Sequence, residues 1–461
     1  MILNINLRNF EKFLLIFSLS CFIYGWSIKY EFFQLRLLVF LPIFFIVINT
    51  IKSKKYNFLI FPIIFFLFLL IHFFLVSYFK GNLNFNILLY ILAASLIAVI
   101  ISYYYLEIVN NLHLIVKYFL ILIIPVMIVN IYEAYNYASI DGSLFLRQLY
   151  FNCDNSVINF GKFFFKENSH LSLMAVPVLI SFIFIEKKLI NKFFIILFSL
   201  FIILNLFFFS TTLIVSIIFC SFIYFIYFGI IAFKELKKIN IDEKSSIKFS
   251  NKYEFIKIYF NKIKKLILIC LLHLLLLYQP TCEKKVMETV YLITKVENNV
   301  ILENYERWPR YKETGYEANS SSSTYFYSLL VTLETFKKYP FGVGFNDYYF
   351  GYLYSKPLLD WFVNKKSPIM VHDYAENVNQ RDGYNNFAKL VVEFGIFNLI
   401  FIPIYLKFIF TNKLNLFNKL FISSLILTQL LKGVGYFNGG FIFGILFMLI
   451  TVYLDKKKLN V

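Results

Sequence analysis

The arginines of this chain are few, and most of them lie in polar stretches. Only six of its 45 basic residues are arginine. Four of them, Arg147, Arg307, Arg310 and Arg381, interrupt segments that are too polar to cross a membrane. A guanidinium donates two parallel hydrogen bonds to a phosphate or carboxylate and stays charged at any physiological pH. We therefore predict that these four side chains bind one anionic group, with ordinary ion pairs to nearby acids as the alternative.

Three further side chains are of types that can act as a general base. Glu167 and His170 are three residues apart, so on one helical face they could share a proton. Asp382 directly follows Arg381, and this pair completes a predicted catalytic set of Glu167, His170, Arg381 and Asp382. Glu167 could instead be a first-turn acid favoured by the helix dipole, and His170 could be a packing histidine. Asp382 could form a plain ion pair with Arg381. Which group takes a proton stays open.

The sequence has no pattern typical of a metal or nucleotide site. Its five cysteines lack metal-ligand spacing, and whether Cys153 and Cys282 form a disulfide stays open. Gly342 and Gly344 lack the strand and helix of a nucleotide-binding loop, so we expect them to form a tight turn. We therefore predict an enzyme that uses no metal and no other cofactor.

The elements that must position these residues are apolar helices. The chain is 59% hydrophobic and 16% charged, whereas a soluble domain has about 25% charged residues. Apolar runs long enough to cross a bilayer recur along the whole sequence. We predict an all-α, polytopic transmembrane protein with about twelve spans, at residues 10–28, 34–51, 58–79, 87–106, 115–137, 171–186, 193–209, 213–233, 266–280, 387–410, 420–434 and 439–454.

The lysines predict the orientation of these spans. Most of the net charge of +18 lies in links between apolar runs, including the Lys-rich link 234–265, whereas the long segment 279–386 is nearly balanced. The positive-inside rule places the links and both termini in the cytoplasm, and it leaves no basic footprint for nucleic acid. The expected parts are 1–278 with nine spans and a smaller outer loop at 138–170, a large outer loop at 279–386, and 387–461 with three spans and the tail.

Four stretches of polar, aromatic and glycine residues follow one another in an order similar to that of a known family. They resemble the bacterial O-antigen polymerases, which are relatives of the O-antigen ligases. The first stretch has Asn168 where the family has proline. The stretches are Phe164–His170; Ser210–Thr212; Ser320–Ser323 with Tyr339–Phe345; and Arg381–Asn386 with Val392–Phe397 and Lys432–Phe437.

This resemblance implies a glycosyltransferase of GT-C-like architecture in the bacterial inner membrane, with the large loop in the periplasm. Such an enzyme transfers a growing glycan from undecaprenyl pyrophosphate to the terminal sugar of a new lipid-linked repeat. Its expected partners are these lipid-linked oligosaccharides, membrane lipids and a chain-length regulator protein, and no nucleic acid. An O-antigen ligase and a lipid-linked oligosaccharide flippase are the alternatives.

The resemblance also extends the predicted substrate-binding set. Ligases carry a His-Asn pair where this chain has Tyr384 and Asn385, which favours a polymerase. Aromatic residues of the large loop, such as Tyr348, could stack on sugars or seat the loop on the membrane surface. The complete predicted set is Arg147, Arg307, Arg310, Gly342, Gly344, Tyr384, Asn385, Lys432 and Tyr436.

Overall fold

The described part of the chain is helical, as predicted, apart from one short antiparallel ribbon that pairs Lys29–Tyr30 with Phe33–Gln34. A computed structural model describes residues 7–24, 29–30, 33–140, 168–182, 184–185, 192–205, 211–241, 261, 264, 267–268, 271, 320–359, 380–433 and 435–456. The predicted all-α class is therefore confirmed for this part of the chain.

Fourteen α-helices within these residues carry the fold. Three of them follow a 3₁₀ helix: Leu35–Phe40 leads into α2, Asn57–Leu59 leads into α3, and Gly395–Ile400 joins α11 to α12. The helices are α1 Leu7–Tyr24, α2 Pro42–Ser53, α3 Ile60–Lys80, α4 Asn86–Tyr103, α5 Tyr105–Ile140, α6 Asn168–Phe182, α7 Lys192–Asn205, α8 Thr211–Ile241, α9 Ser320–Lys338, α10 Tyr348–Ser355, α11 Asn386–Phe394, α12 Phe401–Phe410, α13 Leu416–Leu431 and α14 Phe441–Lys456.

Six helical segments among the described residues are long and apolar enough to cross a membrane. They are Arg36–Ser53, Asn57–Lys80, Asn86–Tyr103, Tyr105–Val129, Thr212–Ile231 and Asn386–Phe410. Four shorter apolar helices, within α6, α7, α13 and α14, coincide with further predicted spans. Membrane character therefore follows from the helices, and the full count of twelve spans stays a prediction.

Helix boundaries differ from the predicted spans in two places. The predicted link between spans four and five is helical, because α5 begins at Tyr105, two residues after α4 ends. The second predicted span is a 3₁₀ helix followed by α2, with Pro42 at the first turn, where its missing N–H costs nothing. Within the apolar stretch 193–233, α7 is described to Asn205 and α8 from Thr211, and the predicted turn at residues 210–212 lies largely outside the described residues and stays a prediction.

The core of the bundle is apolar and so is its outer surface. Ile97 of α4, Leu420 of α13 and Leu446 of α14 are fully buried in one continuous cluster. On α3, Ile71 and Phe74 instead expose more than half of their side-chain area to the surroundings. Apolar groups on both sides of a helix are typical of a protein whose solvent is lipid.

Polar contacts between helices gather at two ends of the bundle. At one end, Glu11 of α1 accepts hydrogen bonds from Asn49 and Tyr104. The link after α12 reaches the start of the tail at this same end, where Lys413 Nζ donates to the carbonyl of Leu454 at 2.6 Å. The other end carries the described residues of the third and fourth family-like stretches, and we call it the motif end.

Candidate functional site

The motif end brings together segments that are hundreds of residues apart. Arg36, before α2, donates to the side chain of Asn438 in the loop between α13 and α14. That loop also touches the start of α11, because the Gly435 amide donates to Asn386 Oδ1 at 3.2 Å. We define the polar cluster as Arg36, Asp382, Lys389, Glu393, Lys432 and Tyr436.

Asp382 lies at the exposed side of this cluster. Its side chain is 42% exposed, whereas that of Lys389, one turn into α11, is completely buried. Lys389 Nζ donates to Asp382 Oδ1 at 2.9 Å and to the carbonyl of Arg381 at 3.2 Å. Gly435 packs against the Asp382 carboxylate so closely that a Cβ there would collide with it. The carboxylate is therefore held by a cation beneath it and a backbone wall beside it.

Glu393 is the second acid of the cluster and is fully buried. Its Oε1 lies 3.4 Å from Lys389 Nζ, one helical turn away on the same face of α11. Its Oε2 accepts from the Asn346 amide at 2.6 Å, and its Oε1 accepts from the Tyr348 amide at 3.1 Å. Both oxygens are thus hydrogen-bonded, as a buried carboxylate requires.

Tyr436 closes the cluster from the loop between α13 and α14. Its ring stacks on Phe345 with centroids 5.0 Å apart, and Lys389 Nζ lies 5.1 Å from the ring centroid. Burial, together with the nearby Glu393 and Asp382 carboxylates, raises the pKa of the Tyr436 hydroxyl well above its ordinary value. The hydroxyl lies near Glu393 but outside hydrogen-bonding geometry. Tyr436 is therefore a neutral lid over the buried ion pair.

Residues 339–347, which we call the glycine loop, dock on the end of α11. The Val343 and Gly344 amides donate to the carbonyls of Val392 and Glu393 at 2.9 and 3.1 Å. These carbonyls belong to the last turn of the helix and have no partner within it. Gly342 and Gly344 have φ angles of 87° and 110°, so the predicted tight turn is confirmed.

Two side chains of α3 hold the other side of the glycine loop. Lys80, almost fully buried, forms an ion pair with Asp347 and donates to the Val343 carbonyl at 2.8 Å. His72 Nε2 lies 3.1 Å from the Phe341 carbonyl. Burial raises the pKa of the Asp347 carboxyl above its ordinary value, and the adjacent Lys80 ammonium opposes that rise. The loop is therefore fixed to both α3 and α11.

Replacing Lys80 by Met should destabilise the protein by about 3–5 kcal/mol, because it leaves a buried carboxylate without its cation. The double variant Lys80→Met, Asp347→Asn should recover much of that loss. Without Lys80 the folded state binds the Asp347 proton more tightly than the unfolded chain does. The deficit relative to wild type should therefore shrink as the pH falls through the raised pKa and grow as it rises.

Thermal unfolding of the detergent-solubilised variants measures this effect. Lys337→Met is the matched control, because the pair between Lys337 and Glu334 is largely exposed on the lysine side and worth less than about 1 kcal/mol. Equal losses from Lys80→Met and Lys337→Met would contradict the role of the buried pair.

Four of the predicted substrate-binding residues are used by the fold itself. Asn385 is fully buried, caps α11 by accepting from the Ala388 amide at 2.6 Å, and donates to Ser328 Oγ at 3.2 Å. Gly342 and Gly344 are buried within the docked loop, and Tyr436 is 2% exposed. The idea that Tyr348 stacks on sugars is wrong for this structure, because Tyr348 too is 2% exposed.

Other predicted residues lie around Asp382, and of these Arg381 is exposed, Tyr384 is half-buried and Lys432 is buried. Arg381 is exposed and offers its guanidinium to the surroundings, while its carbonyl accepts from Lys389. Lys432 Nζ lies 4.8 Å from the ring centroid of Tyr384, and this ring meets Tyr325 edge-on at 5.8 Å. Arg381, Asp382, Tyr384 and Lys432 thus come from two sequence motifs and lie at the same end of the bundle.

Several predicted residues lie outside the described part of the chain. Arg147, Arg307, Arg310 and Glu167 are among them, and for His170 only the backbone of α6 is described. The predicted convergence of four arginines and the predicted sharing of a proton between Glu167 and His170 therefore stay predictions. Whether Cys153 and Cys282 pair stays open, since both also lie outside the described residues.

The sequence analysis missed Lys389, Glu393, Lys80 and Asp347, and it did not select Arg36 for the site. Lys389 and Glu393 carried a usable signal, because they are charged residues four apart at the start of an apolar span. An ionisable group within a membrane span costs free energy, so it faces the interior of the bundle and pairs with another group. The partners of Lys80 and Arg36 lie 267 and 402 residues away, and no local pattern points to them.

An apolar cavity of about 590 Å³ lies beside α11. Helices α9, α11, α12, α13 and α14 line it, almost wholly with aliphatic and aromatic side chains. Phe387 and Leu390 stand next to Lys389 on α11, and Leu430 lies two residues before Lys432, so the cavity adjoins the polar cluster. Within the described residues, no three His, Cys, Asp or Glu side chains are placed to hold a metal ion.

Comparison of this chain with protein-family models, curated proteins and solved structures finds no match.

Proposed function

We propose that this protein is a polymerase of O-antigen or a related surface polysaccharide, which transfers a growing glycan from undecaprenyl pyrophosphate to a new lipid-linked repeat. The observation that carries the proposal is the meeting of the third and fourth family-like stretches at one end of an apolar bundle. Arg381 and Asp382, Lys432, and the glycine loop come from separate parts of the sequence and adjoin one polar cluster. An exposed carboxylate surrounded by cations fits this chemistry.

The cations of the cluster suit a pyrophosphate leaving group. Arg36 lies within electrostatic reach of Asp382, Lys432 lies over Tyr384, and Arg381 is exposed beside them. As the bond between the anomeric carbon and phosphate breaks, negative charge grows on the lipid pyrophosphate, and fixed cations stabilise it without reorganisation. Arg147, Arg307 and Arg310 are the further candidates for this task.

Asp382 is our candidate for the general base. Its carboxylate would accept the proton of the acceptor hydroxyl while that oxygen bonds to the anomeric carbon of the donor glycan, and the electron pair of the broken bond leaves with the pyrophosphate. The ion pair with Lys389 fixes Oδ1 of the carboxylate, and the side chain is 42% exposed, so an acceptor can approach it from the surroundings. Glu167 and His170 remain alternative bases.

The apolar cavity supports a substrate with a long hydrocarbon chain. Its lining offers no charged partner, and it opens beside α11, whose first turns carry the polar cluster. A lipid-linked sugar has this same division, with an apolar chain below a charged and hydroxylated head. We therefore propose that part of the polyprenyl chain lies in the cavity while the pyrophosphate reaches the cluster.

Under this proposal the motif end faces the periplasm and both termini face the cytoplasm. The two ends of α3 test this orientation, because Lys55 and Asn82 are exposed just beyond them. Asn82→Cys should react with a membrane-impermeant maleimide in spheroplasts, and Lys55→Cys should react only after lysis, each measured above the background of the parent chain. The reverse pattern would contradict the proposed orientation.

The glycan profile of a deletion strain tests the function. Loss of the long-chain ladder, with a single capped repeat remaining on the core, is the result expected for a polymerase. Loss of every repeat would instead indicate a ligase or a flippase and would contradict the proposal. An unchanged ladder would show that this protein takes no part in the assembly of that glycan.

A further inference from the structure

Lys389 is a fully buried cation with more partners than its burial requires. Burying an ammonium needs at least one close carboxylate, and Glu393, four residues on, already supplies it. Yet Lys389 Nζ lies closer to Asp382 Oδ1, at 2.9 Å, and to the Arg381 carbonyl, at 3.2 Å, than to Glu393, at 3.4 Å. The ammonium therefore leans toward the exposed side of the cluster.

Glu393 in turn is held from the opposite side. The amides of Asn346 and Tyr348 fix its two oxygens, and the glycine loop that contains Asn346 is docked on α11 and α3. A carboxylate with both oxygens bonded to backbone amides has little freedom to follow its partner. Lys389 is thus connected to a rigid support on one side and to Asp382 on the other.

We propose that Lys389, anchored by Glu393, is a positioning residue that holds the Asp382 carboxylate and the Arg381 backbone in their working geometry. This inference rests on the function proposed above. Among the described residues, the Arg36 guanidinium and the Tyr436 ring also face Asp382, and Gly435 forms the wall beside it. The ion pair of Lys389 with Asp382 differs from these contacts because Glu393 links it to the docked glycine loop.

A double-mutant cycle separates positioning from mere stability. Wild type, Lys389→Met, Asp382→Asn and the double variant are each reconstituted in liposomes with undecaprenyl-pyrophosphate-linked repeats, and kcat and KM are measured. Lys389→Met should lower kcat about 10²-fold, the cost of misplacing a catalytic group by about 1 Å, and change KM little. In the Asp382→Asn background the same change should lower kcat no further, because Lys389 acts through Asp382.

Other outcomes overturn the inference in distinguishable ways. Equal losses of kcat in both backgrounds would mean that Lys389 serves only the fold, and an unchanged kcat in Lys389→Met would mean that it serves neither purpose. If Lys389→Met does not yield folded protein, Glu393→Gln carries the same cycle, since it loosens the anchor without removing the buried cation. A wild-type protein that forms no polymer contradicts the proposed function itself, whereas an active wild type with an additive cycle contradicts only the role of Lys389.

Discussion

Asp382→Asn should reduce polymer synthesis about 10²–10⁴-fold, the range expected for removal of a general base. In the complemented deletion strain this loss appears as the disappearance of the long-chain ladder. The asparagine keeps an oxygen that accepts the hydrogen bond from Lys389, so the variant should still fold. The loss should therefore come from the chemistry rather than from the amount of protein.

Asp455→Asn is the matched control for this experiment. Asp455 lies at the opposite end of the bundle, where its Oδ1 accepts from Thr411 Oγ1 at 3.3 Å. The same change there should leave the ladder intact. A normal ladder from Asp382→Asn would exclude Asp382 as the base and would leave Glu167 or His170 as the candidates.

Gly395→Ala should destabilise the protein by at least about 3 kcal/mol and should abolish accumulation of the folded form. A Cβ at this position would approach the Pro340 carbonyl more closely than 3.0 Å, and the φ angle of 53° combines with a ψ angle of −131° in a region that only glycine adopts easily. The backbone strain costs about 1–3 kcal/mol.

The Gly395→Ala substitution should also displace the glycine loop from its docked position, which adds to the loss of stability. Moving that loop away from α11 breaks three backbone hydrogen bonds, from Val343, Gly344 and Ile396, each worth about 1 kcal/mol. Thermal unfolding in detergent and the yield of monodisperse protein measure the effect. Gly229→Ala is the control, because a Cβ at Gly229 meets nothing within 4 Å. Equal stability of the two variants would contradict the docked position of the loop.

Much of the fold could be predicted because hydropathy alone dictates it. A bilayer-length apolar run must be helical, since lipid offers no partner for backbone N–H and C=O groups. The start of α11 at Asn386 follows from a short polar interruption that includes Asn385. Hydropathy could not predict that α5 begins at Tyr105, because a helix can continue through a polar link without any change in apolar content.

The candidate site could be predicted only in part. Local chemistry pointed to Gly342, Gly344 and Asp382, because glycine turns and exposed acids have recognisable neighbours in sequence. The buried pairs could not be found in this way, since Lys80 meets Asp347 only after α3 packs beside the glycine loop. For Asn385 the error is the reverse, because a residue with a structural role was predicted to bind substrate. Its motif suggested substrate contact, whereas its side chain caps a helix.

The central claim is that the polar cluster transfers glycan between lipid carriers, and purified protein tests it most directly. Liposomes containing this chain and an undecaprenyl-pyrophosphate-linked repeat as the only sugar source should form a ladder of lipid-linked products and release undecaprenyl pyrophosphate in equal measure with each added repeat. The same liposomes with Asp382→Asn should form almost none. Folded wild-type protein that yields no ladder, or one that the Asp382 variant matches, would contradict the claim.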